Sequence, residues 1–147
     1  MTLISRRGFL AASAATLSTA ALPRFAMAQN AISLSAATRV LDVNGRAAIV
    51  FGLEGPSGQG LVLNPGQRFR ASLTNRLDVP TLIHWHGQIP PNEQDGVPDL
   101  PQPMLQPDET RSYDYEPLPG TYWMHAHIPL QEMNLLAAPL IVRSAED

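Results

Sequence analysis

The 147-residue sequence has no cysteine and no lysine, few histidines and almost no helical periodicity. Without cysteine there are no disulfides and no thiolate sites, so a bound metal must be held by histidine, carboxylate or methionine. All ten basic residues are arginine, a bias with no physical explanation in the sequence itself. Thirteen of the fourteen prolines fall between Pro56 and Pro139, and no stretch after residue 28 keeps a period near 3.6 for three turns. A helical architecture is thereby excluded. The run from Phe9 to Leu22 is weakly apolar and diluted by Ser and Thr, shorter than the roughly 20 apolar residues that span a bilayer. Stable membrane insertion is not expected.

The features present begin with the N-terminus. Arg6 and Arg7 precede that apolar run, and Ala26-Met27-Ala28 follows it as a small-residue cleavage pattern. Residues 1–28 read as a cleavable export signal, and the paired arginines resemble the twin-arginine type, which exports folded proteins. Residues 29–147 then suit one domain. With Arg6, Arg7 and Arg24 removed, seven arginines face thirteen acidic residues, a net charge of −6. That balance argues against nucleic acid as a partner.

Short strands and turns account for the mature chain. "ISLSAATRVLDV" and "AAIVFGL" flank the turn "NGR", Asn44 to Arg46, and form a predicted hairpin. In "QRFRASLTNRL", Phe69, Ala71, Leu73 and Leu77 share one face, while Arg68, Arg70, Ser72, Thr74 and Arg76 share the other. "TLIHWHG", "TRSYDYEP", "TYWMHAHI" and "APLIVRS" complete the strands, with a long Pro-rich loop from Gln88 to about Pro107. This pattern predicts an all-β antiparallel sandwich or barrel. The loop is long enough to do more than connect.

All four histidines sit in two His-x-His units, His84/His86 and His125/His127. Residues i and i+2 of a strand share a face, so each unit is a two-imidazole comb, with Trp85 pointing away from the first. Thr121 and Trp123 join His125 and His127 on one side; Tyr122, Met124, Ala126 and Ile128 take the other. Two combs on neighbouring strands would set four neutral nitrogen donors around a small volume. Such a donor set suits copper, zinc or nickel and suits calcium or magnesium poorly. A lone strand histidine is usually hydrogen-bonded or solvent-facing, but the paired spacing of all four favours a metal. Trp85, Tyr122 and Trp123 fill the core or wall the site.

"HWHG", a long loop holding "DG", then "GTYWMHAH" and "PLIV" together resemble the N-terminal cupredoxin domain of multicopper oxidases, the group of laccases and bacterial copper-resistance oxidases. The likeness covers nearly all of residues 29–147 and implies a cupredoxin-like Greek-key fold. It implies copper as cofactor, with His84 on the type 2 copper, His86 and His125 on one type 3 copper, and His127 on the other. It also makes Asp95, in "EQDG", the loop acid that assists proton delivery to bound oxygen species, although Asp before Gly is equally an ordinary turn residue. Bacterial members often carry twin-arginine signals, which implies a periplasmic location.

The sequence departs from the family in one large respect. Full members carry two further His-rich motifs, one of them His-Cys-His, which complete the trinuclear cluster and build the type 1 copper site. Neither is present here, and the lack of cysteine also excludes a blue electron-transfer cupredoxin. The resemblance therefore implies a truncated or partner-dependent form that supplies half of the cluster's histidines and engages dioxygen once a chain with the missing domains completes it. The alternative is a non-catalytic periplasmic module for copper binding or protein interaction, in which Met104, Met124 and Met133 help hold Cu(I) or simply fill the core.

Overall fold

The computed structural model describes residues 30–97 and 101–147; the predicted signal segment, residues 1–28, lies outside them. The described chain forms nine strands: β1 (Ile32–Val43), β2 (Arg46–Gly55), β3 (Gly58–Gln59), β4 (Leu61–Leu63), β5 (Phe69–Asn75), β6 (Ile83–His86), β7 (Thr110–Tyr115), β8 (Gly120–Ala126) and β9 (Ala137–Val142). A 3-10 turn at Asn92–Gln94 and one short helix, α1 (Pro129–Met133), are the other regular elements among the described residues. No helix among them is long and apolar enough to cross a membrane.

Local chemistry explains the strands. Asn44 and Gly45 both adopt left-handed backbone angles, φ 54° and 78°, as a two-residue hairpin turn between right-twisting strands requires. The Gly45 amide also donates to Asp42 Oδ1 at 2.9 Å. The β1–β2 register then runs from Val43↔Arg46 back to Ser35↔Glu54. Along β5 burial alternates strictly, with Phe69, Ala71 and Leu73 inward, as the period-2 pattern predicts. Asn75 continues that inward face and is fully buried. Its side chain is satisfied there, donating to the Val79 and Leu105 carbonyls and accepting from the Leu77 amide.

The strands form two sheets, ordered β3-β2-β1-β5-β7 and β4-β9-β8-β6. One core lies between them, with Leu34, Leu53, Phe69 and Leu73 from the first sheet meeting Leu63, Ile83, Trp85, Met124 and Leu140 from the second. Of the antiparallel sandwich or barrel that the sequence predicts, the structure has the sandwich, but its sheets are not purely antiparallel. β1 pairs with β5, and β4 with β9, in parallel. The reason is connectivity: the chain leaves the first sheet at β4 and returns at β5, so the free edge of β1 receives a strand running in its own direction.

α1 was not anticipated. The Pro129 ring suits a first helical position, and the helix stops at once because Leu135 turns to φ 66°. Gln131 of α1 is buried, accepting from Thr81 Oγ1 at 2.6 Å and donating to the Pro80 carbonyl at 2.7 Å. These bonds clamp α1 to the segment that leads into β6.

Candidate metal centre

β6 and β8 pair antiparallel with His84 opposite His125, so the two histidine units converge at one end of the second sheet. The ring centroids of His84, His86 and His125 form an almost equilateral triangle, with sides of 5.7, 5.6 and 5.6 Å. One ligand nitrogen from each lies within 4.8 Å of the other two. β8 ends at Ala126, one residue before His127, yet that ring still stacks 5.1 Å from His84 and stands 5.7 Å from His125. All four predicted ligands are therefore brought together, with three in the tighter group.

Burial divides them. His125 is 5% exposed, His84 is intermediate, and His86 and His127 are open to solvent. Trp123 lies flat on His125 at 4.2 Å and 11° and tilts against His86 at 5.3 Å, walling the cluster on one side. Trp85 and Met124 point the other way, fully buried, so Met124 fills the core. Met133 is exposed on α1.

The backbone contacts of the two facing histidines bear on their tautomers. His84 Nδ1 lies 2.8 Å from the backbone oxygen of Asp95, and His125 Nδ1 lies 3.2 Å from that of Ala126. A carbonyl oxygen only accepts, so each contact favours the hydrogen on Nδ1, the form that leaves Nε2 a free lone pair. His125 Nε2 is buried with no hydrogen-bond partner. An orphaned buried acceptor costs about 1–3 kcal/mol, and a coordinated metal ion would relieve it. Burial also holds His125 below the ordinary histidine range, countered in part by Glu132 and the Ala126 carbonyl. The ring is thus kept neutral, as coordination requires. Two nitrogens on one ion at about 2 Å each stand at most about 4 Å apart, so the triad is a small adjustment from sharing an ion or serving neighbouring ions. The donor set fits a borderline metal such as copper.

The loop after β6 is pinned at several points. Gln88 clasps Leu118, accepting from its amide at 2.8 Å and donating to its carbonyl at 3.3 Å. Trp85 Nε1 donates to the Gln94 carbonyl at 2.8 Å, and Gln94 Oε1 accepts from the Asp114 amide at 2.7 Å. Asp95 is thereby held with its carboxylate Oδ1 3.3 Å from His84 Nδ1. Gln88, Gln94 and Glu132 escaped the sequence reading because lone Gln and Glu residues in loops carry no spacing signal.

A family model described as multicopper oxidase matches residues 35–147. Copper resistance protein A of Pseudomonas syringae pv. tomato is 36% identical over 118 residues, covering 77% of this chain and 19% of that protein. Copper resistance protein A of Escherichia coli is 38% identical over 96 residues, covering 65% of this chain and 15% of that protein. A multi-copper oxidase from Pseudomonas thermotolerans superposes with a TM-score of 0.72 at 34% identity, covering 80% of this chain and 30% of that one. The chain thus spans less than a third of each of these relatives.

Proposed function

The chain belongs to the multicopper oxidase family, and from that premise we propose that it is the copper-binding N-terminal cupredoxin part of a laccase-like or copper-resistance-type oxidase. In this reading His84, His86, His125 and His127 supply half the histidine ligands of a trinuclear copper cluster for dioxygen reduction. His84 serves the type 2 copper, His86 and His125 one type 3 copper, and His127 the other. The remaining ligands and the cysteine-bearing electron entry site come from further domains or a partner chain. The observation that carries the reading is the convergence of His84, His86 and His125, one nitrogen of each within 4.8 Å of the others, beside a buried His125 Nε2 that has no hydrogen-bond partner.

In a completed enzyme, copper held here would supply the chemistry of dioxygen reduction to water, with electrons from phenols or metal ions entering at the site that the further domains provide. The chain's own residues then have defined tasks. β6 and β8 hold the imidazoles, Trp123 screens one side from water, and Asp95, whose Oδ1 lies 3.3 Å from His84 Nδ1, is the loop acid that would assist proton delivery for dioxygen reduction. Residues 1–28 direct twin-arginine export to the periplasm. A second reading, a non-catalytic periplasmic copper-binding or interaction module, draws on the absence of cysteine and on the exposure of His86 and His127.

Copper titration of the full chain against His86→Ala/His125→Ala tests the metal assignment. The double variant is expected to lose most of the uptake; equal uptake by both proteins would end it.

A further inference from the structure

His84 and His125 are opposite each other in the β6–β8 register, and their surroundings match. Each Nδ1 faces a backbone carbonyl and also a carboxylate: Asp95 Oδ1 at 3.3 Å for His84, Glu132 Oε1 at 3.5 Å for His125. We propose that Glu132 of α1 is a positioning residue for His125, the counterpart of Asp95 at His84, holding that imidazole with its hydrogen on Nδ1 and its Nε2 lone pair toward the histidine cluster.

The alternative tautomer shows why. With the hydrogen on Nε2, the Nδ1 lone pair would confront both the Ala126 carbonyl and the Glu132 carboxylate, three electron-rich atoms without a hydrogen among them. With the hydrogen on Nδ1, both oxygens are favourably placed, and the negative carboxylate strengthens the donor character of Nε2. The Ala126 carbonyl alone, at 3.2 Å from a ring only one residue away, is a weak director.

Glu132 is held in place from its neighbour. Gln131 is buried and bonded to Thr81 and Pro80, and its own carbonyl accepts from the Leu136 amide at 3.0 Å. The turn carrying Glu132 is therefore tied to the strand entry that carries His84. The Glu132 side chain is 40% exposed, so its role is to orient a ligand and tune its basicity rather than to hold the fold.

The inference rests on the copper-site reading only for its metal arm; its tautomer arm concerns this chain alone. Nitrogen-15 NMR of the full, metal-free chain, at a pH where the histidines are neutral, reads the His125 tautomer directly. Wild type is expected in the Nδ1–H form, and Glu132→Ala is expected to bring in the Nε2–H form. Cu(II) affinity is expected to fall tenfold or more in the same variant, the scale seen when an outer-shell carboxylate is lost. Glu132→Leu, of similar bulk at a partly exposed position, makes the same comparison if the alanine variant folds poorly. Glu132→Gln, whose amide oxygen still accepts, is expected to restore the tautomer. Unchanged tautomer and copper affinity in the Leu variant would overturn the proposal, as would an Nε2–H form in wild type. A tautomer that responds in a chain taking up no copper would refute the copper reading and leave the positioning role standing.

Discussion

Gly96 lies so close to β6 that a Cβ on it would stand 1.9 Å from the carbonyl oxygen of Ile83. Its φ of 77° disfavours any side chain as well. The residue after Asp95 is thus the point where the loop is pressed onto the strand that carries His84. Gly96→Ala is expected to lift the loop, loosening the Trp85–Gln94 bond and withdrawing Asp95 from His84. A loss of at least about 2 kcal/mol is expected, from the left-handed strain and the backbone clash together. Urea unfolding beside a copper titration checks this; a variant matching wild type in both would show that the loop closes without that contact.

Asp114 supplies a pH dependence remote from the cluster. It accepts from Arg68 and from Arg70, and the Arg68 hydrogen bond is the largest influence holding its carboxyl below the ordinary carboxylate range. A depressed folded pKa means that the unfolded chain binds more protons in acid. The contribution is therefore present above the unfolded value of about 3.9 and lost as pH falls through the folded value. Asp114→Asn is expected to show a shallower loss of thermal stability between about pH 5 and pH 2. Superimposable stability profiles for the two proteins would show that solvent screening cancels this pair.

Export by the proposed twin-arginine route predicts a sharp response at Arg6 and Arg7. Changing both to lysine keeps the positive charge, which suffices for general secretion, but removes the paired arginines. Cytoplasmic retention of the Lys-Lys variant is expected. Normal periplasmic accumulation would rule the route out.

Colour is a further check. With no cysteine in the sequence, no thiolate-to-copper charge transfer is available. The copper-loaded chain is expected to lack an intense blue absorption and to oxidise a laccase substrate no faster than free copper at equal concentration. Sustained turnover by this chain alone, with water as product, would mean that self-association completes the site.

The histidine spacing, the hairpin at Asn44-Gly45 and the inward face of β5 were legible in the sequence, because a strand's period of two acts between residues i and i+2 and needs no partner. The same local rule placed His84 and His86 on one face, and Trp85 on the other. Tertiary structure alone decided that His84 meets His125, because strand register is set by turns and packing that bring residues forty positions apart together. It also decided that β5 joins β1 in parallel, that His125 is buried while His127 is open, and that Asp95 and Glu132 each face an Nδ1 atom. The Glu132 contact depends on a five-residue helix anchored by Gln131 to Thr81, fifty residues away. No periodicity in the sequence encodes a contact of that kind; it arises only where the folded chain closes on itself.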